Sequence, residues 1–266
     1  MTDDIAGAAA AFPDPFRLLI RNTVGSTNDE ARSLALAGSP DGLVLFASHQ
    51  TAGRGRRHAA WFSQPETSLV FSIVTRPEEP KRLWPRLALA AGLAVAEAVE
   101  SFGVPAGIKW PNDVWIHQRK VAGILVEAGA DFAIVGIGIN VNTTHFPVEV
   151  ADIATSLRIE TARHLPRHQV LASIIRHFAR HRSRIGKDFD AMLAAVRQRC
   201  VLTGHWVSLS TSSGVRHGRV DGIAPGGELL LRTSTGLERL IQADEIRITV
   251  GTSTIEGHLS TGNNRS

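Results

Sequence analysis

Three apolar runs, residues 114–116, 121–127 and 132–141, follow one another with only a few polar residues between them. Parallel strands need a crossover of a dozen or more residues, so neighbours joined this tightly must run antiparallel. That excludes a simple doubly wound parallel sheet. Two further short apolar runs, 43–47 and 69–74, predict strands upstream. Thr27-Asn28-Asp29-Glu30 has the form of a capping box, with Ala31, Leu34 and Ala35 at helical spacing behind it and Gly38 and Pro40 to end the helix. A long helix is expected over 82–102, stopping at Gly103, and two more over about 168–185 and 187–199.

The pattern divides the chain. Residues 1–15 are Ala-rich and interrupted by Pro and read as a loose leader, and 16–200 form the main domain. From 203 to 249 short strands around Trp206, Gly218, Leu229 and Ile246 alternate with Gly, Ser and Pro, predicting a small, partly open β-barrel. Residues 250–266 are polar and Gly/Ser/Thr-rich and are expected to be a disordered tail.

Composition narrows the function. With 43% hydrophobic and 20% charged residues the chain is an ordinary globular protein, and its net charge of +4 suits an anionic ligand without requiring one. The single cysteine, Cys200, cannot form an internal disulfide, continues the apolar spacing of Met192, Leu193 and Val196, and reads as a core thiol. No basic-then-apolar leader marks secretion, and the apolar segment 87–99 is too short to span a bilayer and carries Glu97. A cytoplasmic protein that binds no membrane is expected. No helix-turn-helix module precedes the main domain, so no DNA binding is expected either.

Four motifs could carry chemistry, and each also has a plain structural reading. Gly53-Arg54-Gly55-Arg56-Arg57 joins two strands and offers guanidinium forks suited to carboxylate or phosphate, or else is a solvated basic turn. It has neither Walker nor Rossmann spacing. Lys109-Trp110-Pro111-Asn112-Asp113 enters a strand; Asp113 could ligate a hard cation such as Mg²⁺, or the segment is a Pro-Asn-Asp turn. Lys120 opens the apolar run 121–125, which would hold its ammonium partly desolvated unless it is an exposed hairpin lysine. Gly136-Ile137-Gly138-Ile139-Asn140 bares one face of a strand, for a flat ligand, another backbone or packing alone.

In order, Ser26-Thr27-Asn28, Gln50 to Arg56, Lys109 to Asp113, Lys120 to Leu125 and Gly136 to Asn140 resemble the motif series of biotin protein ligases over residues 22–142. The resemblance implies an α+β fold: a central mixed, largely antiparallel sheet flanked by helices, similar to class II synthetases, with a small C-terminal SH3-like β-barrel. It implies that biotin and Mg-ATP react to biotinoyl-5′-AMP and that biotin passes to a lysine of a carrier domain, that of acetyl-CoA carboxylase or another biotin-dependent carboxylase. A homodimer is compatible with it. By the same resemblance Ser26, Thr27, Asn28, Gln50, Arg54, Gly123, Gly136 and Gly138 would hold biotin. Arg56, Trp61, Trp110, Asn112, Lys120 and Asn140 would hold ATP and the adenylate, Asp113 the metal, and Lys120, Arg54 and Arg56 would act in catalysis. Thr27 carries a tension, since one hydroxyl would have to cap its helix and also meet the ligand.

This chain departs from the family's G-R-G-R-x-G-R-x-W loop at His58, in place of glycine, and Ala59, in place of arginine. Less backbone freedom and one donor fewer predict a weaker hold on the adenylate, with activity retained. The intermediate should therefore dissociate more slowly from Ala59→Arg than from the natural chain; equal half-lives would sink that idea. Lipoate ligases and octanoyl transferases share the fold, but their glycine signature differs and the transferases use a cysteine, whereas Cys200 is distant from every motif. A nucleic-acid-binding module would use the basic loop and the barrel, yet the chain has no tyrosine and no RNP-like aromatic pattern. A member that binds biotin without turning it over is the third reading, supported only by the altered loop.

Overall fold

The computed structural model describes residues 5–56 and 60–249. The expected tail at 250–266 and the departures at His58 and Ala59 lie outside the described residues.

Seven strands form the central sheet: β1 (Arg17–Val24), β2 (Leu43–Gln50), β3 (Ser68–Thr75), β4 (Gly107–Lys109), β5 (Asp113–Ile116), β6 (Arg119–Ala128) and β7 (Ala133–Asn140). Their order is β1-β2-β3-β7-β6-β5-β4. β1 pairs parallel to β2, and every other pairing is antiparallel, as the short connections between β5, β6 and β7 require. β3 is buried along its whole length, which matches its nearly unbroken apolar run.

The helices sort to the two faces. α1 (Thr27–Leu36) closes a small cluster of Ala31, Ala35, Leu45, Val74, Phe132 and Ile134 on one face. α2 (Arg86–Glu100), α4 (Arg167–Arg182) and α5 (Phe189–Arg199) cover the large core on the other; α3 (Leu157–Thr161) is a single short turn. The helix expected over 82–102 is broken: Lys81–Leu83 is a 3-10 turn, and α2 starts only after Pro85, a residue without an N–H to donate and suited to a helix start. α1 ends as expected. Gly38, at φ +89, and Ser39 turn back onto the Ala35 and Leu34 carbonyls at 3.1 and 3.0 Å, a closure for which glycine is suited.

Where a loose leader is expected, Ile5–Ala11 forms a 3-10 helix whose Ile5 and Ala8 are buried in the large core. Cys200 is half-buried and packs against that core. The C-terminal strands β8 (Trp206–Thr211), β9 (Gly214–Ile223), β10 (Leu229–Thr233), β11 (Gly236–Leu240) and β12 (Ile246–Thr249) form one antiparallel sheet in the order β11-β10-β9-β8-β12. The small β unit expected there as a partly open barrel is present as these five strands, with no β11–β12 pairing among the described residues. No helix among the described residues is long and apolar enough to cross a membrane.

One charge cluster ties α2 to α4. Glu97 accepts from His181 at 2.7 Å, lies 2.9 Å from His177 and 2.5 Å from Arg180, and the two histidines sit one helical turn apart. Among the described residues these are the His and carboxylate groups close enough to share an ion, but Arg180 already brings the positive charge. Burial alone would raise the Glu97 carboxyl; the hydrogen bonds and charges of His181 and Arg180 outweigh it and take the pKa from 4.5 to about 2. A depressed folded-state pKa stabilises the fold above the unfolded value and loses that contribution as pH falls through the folded one. Melting temperature should therefore drop between pH 4.5 and about 2, and Glu97→Gln should flatten that part of the profile. An unchanged slope in the variant would refute the assignment.

Candidate functional site

The N-terminus of α1, the end of β2, the loop after it and the central strands β6 and β7 meet around a cavity of about 200 Å³. Ser26, Thr27, Asn28, Gln50, Arg54, Arg56, Trp61, Asn112, Asp113, Lys120, Gly123, Gly136 and Gly138 all line it. The pairing of β3 with β7, Val70 opposite Gly138 and Ser72 opposite Gly136, brings these glycines beside the start of α1, which Ser72 holds through Asn28, and β6 adds Gly123 opposite Gly138.

One end of the cavity is a hydrogen-bonding wall. Ser26, in extended conformation, is the N-cap residue of α1, but its side chain makes no capping bond. Gln50 supplies one instead: its Oε1 accepts from the Thr27 N–H at 2.7 Å and from the Thr27 hydroxyl at 3.1 Å. A helix leaves its first N–H groups without internal partners, and here a side chain from β2 satisfies one. The capping box expected at Thr27 is therefore replaced; its hydroxyl does not cap the helix but bonds to Gln50 and to Ser72. Asn28 is buried, with Nδ2 donating to Glu127 Oε2 at 2.6 Å and Oδ1 accepting from Ser72 Oγ at 2.6 Å.

The other end is cationic. Arg54 pairs with Asp29 and, at 3.3 Å, with Glu127, while its Nε is buried with no hydrogen-bond partner among the described residues. Lys120 Nζ lies 2.7 Å from Asp113 Oδ1 and 5.5 Å from the centre of the Trp61 ring. Arg56 reaches the C-terminal sheet, donating to the Ala243 carbonyl at 2.7 Å and lying 3.5 Å from Asn112 Oδ1. Lys109 is not among the residues lining the cavity and lies over the Trp115 ring at 4.3 Å. Burial lowers its pKa, an effect that the charge of Asp113 opposes and that of Lys120 reinforces.

The bare face of β7 is used by the protein's own side chains. A Cβ at Gly136 would run into the Asn28 amide, one at Gly138 into the Trp61 indole, and one at Gly123 would crowd Trp61 and the Lys120 stem. Ile137 and Ile139 fill the core on the opposite face, as the alternation predicts. Trp61 Nε1 is a second buried donor without a partner among the described residues. Both of these unpartnered buried donors belong to side chains that line the cavity.

Two expected residues lie elsewhere. Trp110 is buried beside a neighbouring cavity, its Nε1 donating to the Gly227 carbonyl at 2.9 Å. Asn140 is buried away from the cavity and holds the Thr155 carbonyl at 3.1 Å. Three groups went unread in the sequence: Asp244 in the cavity wall, and Ser72 and Glu127, which do not line the cavity but hold Asn28.

Asp113, the expected metal ligand, is already paired with Lys120. The cavity wall adds only Asp244 as a second carboxylate. That donor set does not make a closed cage, but it fits a Mg²⁺ carried in on phosphates, a mode in which the ion keeps several waters and takes one or two protein carboxylates.

Residues 21–142 match the model of the biotin/lipoate A/B protein ligase family. The chain is 35% identical over 236 residues to the bifunctional ligase/repressor BirA of Bacillus subtilis, covering 85% of this chain and 73% of that one. It is 33% identical to the biotin–[acetyl-CoA-carboxylase] ligase of Paracoccus denitrificans, over 83% of this chain and 96% of that one. Among solved structures, the biotin protein ligase of Aquifex aeolicus in complex with biotin and ATP superposes with a TM-score of 0.80 at 32% identity. That match covers 88% of this chain and 99% of the other.

Proposed function

The chain belongs to the biotin protein ligase family, and on that premise we propose that it activates biotin with ATP and attaches it to a lysine of a carboxylase's biotin-carrier domain. One observation carries this reading: a single small cavity sets a wall of amide and hydroxyl groups beside a cluster of cations. The wall suits a cyclic urea, which both donates and accepts hydrogen bonds. The cations suit a carboxylate meeting a phosphate.

In the first reaction an oxygen of biotin's carboxylate bonds to the α-phosphorus of ATP, the bond from that phosphorus to the bridging oxygen breaks, and pyrophosphate leaves. In the second, a lysine amine of the carrier attacks the acyl carbon, a proton is lost to solvent, and AMP departs. The first step brings two anions together, so its barrier falls where fixed positive charge stands ready. Arg54 and Lys120 would face biotin's carboxylate and the α-phosphate, and Arg56 and Asn112 would hold the phosphate side. Thr27, Asn28 and Gln50 would bind the ureido ring, with Ser26 beside them, and Gly123, Gly136 and Gly138 leave room for the wall. Trp61 would lie against the adenylate. Mg²⁺, when bound, supplies phosphate charge neutralisation, with Asp113 as the protein carboxylate nearest to hand. Trp110 and Asn140 would support this region from outside the cavity.

Residues 16–200 would be the catalytic unit and 203–249 a second domain touching the site through the Arg56–Ala243 and Trp110–Gly227 hydrogen bonds. The carrier of acetyl-CoA carboxylase is the partner proposed, and a single cysteine fits a reducing cytoplasm. Labelled biotin, Mg-ATP and a carrier fragment test the whole: label should reach the carrier lysine only when ATP is present. Lipoate taken up in place of biotin, or label that appears without ATP, defeats the proposal.

A further inference from the structure

We propose that Glu127 is a positioning residue that fixes which way the Asn28 amide faces, and thereby makes the cavity's inner wall an acceptor for a urea N–H. The inference rests on the reading of the cavity as the biotin site.

Asn28 is held at both ends. Its Nδ2 donates to the Glu127 carboxylate at 2.6 Å and lies 3.4 Å from the Leu125 carbonyl. Its Oδ1 takes the Ser72 hydroxyl at 2.6 Å. Ser72 has one proton and faces two oxygens, Asn28 Oδ1 and Thr27 Oγ1 at 2.8 Å. The amide oxygen can only accept, while the Thr27 hydroxyl can instead donate to Gln50 Oε1.

Ser72 alone would not settle the amide. A hydroxyl can donate or accept, so a flipped Asn28 could keep a hydrogen bond with it. Glu127 cannot tolerate the flip, because an ionised carboxylate only accepts and would then face the amide oxygen. The Asn28 amide is removed from water at 3% exposure, although the Glu127 side chain keeps 25%, and a mismatched polar group is costly at the buried end of the pair. Gly136 leaves the space in which the amide lies. What remains towards the cavity is the second lone pair of Oδ1, matched to an N–H of the ligand. Glu127 also sits 3.3 Å from Arg54, which links the two ends of the cavity.

Glu127→Ala and Glu127→Gln separate these roles, because glutamine keeps an oxygen for Asn28 but gives up the charge on Arg54. In biotin-dependent exchange of pyrophosphate into ATP, Glu127→Ala should raise the KM for biotin about tenfold to a hundredfold, with kcat changed less than about threefold. Glu127→Gln should stay within about threefold of the natural enzyme in KM. Asn28→Asp sets two carboxylates against each other and should be far worse than either; adding Glu127→Gln should recover at least about tenfold, since the glutamine amide can donate to Asp. Equal KM values for the two Glu127 variants, or no recovery in the double variant, would overturn the assignment.

A second readout needs no biotin. In NMR spectra the Asn28 side-chain amide should show one strongly downfield proton in the natural protein and in Glu127→Gln, and lose it in Glu127→Ala. If the natural chain shows no biotin-dependent exchange, the functional reading fails by itself. A resonance that does not respond to Glu127→Ala refutes the positioning role independently.

Discussion

Lys120→Ala should slow biotin adenylation by about a hundredfold to a thousandfold, the range for removing one preorganised charge aimed at a developing anion. The side chain is held rather than loose. Its ammonium is 2.7 Å from Asp113 and lies over the Trp61 ring, and the strand that carries it is fixed by β5 on one side and β7 on the other. A cation held this way need not reorganise when charge builds on the α-phosphoryl oxygens, which is what distinguishes it from an exposed hairpin lysine. The loss should appear in kcat for the exchange reaction more than in the KM for biotin, because the charge on the phosphate grows as the bond forms. Far-UV circular dichroism should not change, since Lys120 sits at the edge of the core. Asp113→Asn gives the internal control. It frees the ammonium without removing it, and because Asp113 is also the carboxylate proposed for Mg²⁺, its defect should shrink as Mg²⁺ is raised whereas that of Lys120→Ala should not. Turnover in Lys120→Ala within a few-fold of the natural enzyme would remove Lys120 from the chemistry.

What the sequence made legible, and what it hid, follows from where each interaction is encoded. The antiparallel run from β5 to β7 is local, because connections of a few residues admit no other pairing. The Arg and Gly pattern of the loop after β2 and the alternating glycines of β7 are also local, and both lie at the cavity. β1 was not legible: its burial alternates weakly along an edge carrying Arg17 and Arg21, so no periodic signal stands out. Ser72 was hidden inside an apolar strand. Only the register that sets it opposite Gly136 brings it beneath Asn28. Glu127 closes an apolar run like many strand-end carboxylates, and its partner lies 99 residues away in the chain. Asn140 does not line the cavity. It continues a motif whose glycines reach the cavity, but it ends the strand, where its Nδ2 donates to the Thr155 carbonyl and its Oδ1 is buried without a partner among the described residues. The capping box failed for a related reason: the pattern at Thr27 is right for a helix start, but the acceptor that satisfies it comes from another strand.

Gly138→Val should leave the fold intact and nearly abolish biotin activation. Gly138 lies in β7 opposite Val70 of β3 and Gly123 of β6, in the extended backbone that β-branched residues favour. Substitution therefore removes unfolded-chain entropy without strain in the strand itself, a gain of about 0.4–1 kcal/mol where the side chain has room. There is room only if Trp61 moves, since a Cβ at this position already runs into the indole. The displaced ring has nowhere to go but the cavity or solvent. Either way it gives up its position over Lys120, and the bare patch that Gly123 and Gly138 share is lost. Misplacement by about 1 Å at a reacting centre costs on the order of a hundredfold, and a branched side chain intrudes by more than that. The two measurements should therefore separate: a melting temperature lowered by no more than a few degrees as the displaced indole offsets the entropy gain, and exchange activity lowered by about a hundredfold or more. Gly138→Ala should show the same split at smaller amplitude. If instead both variants lose stability and activity together, the glycines serve packing alone and the cavity floor is not what the ligand meets.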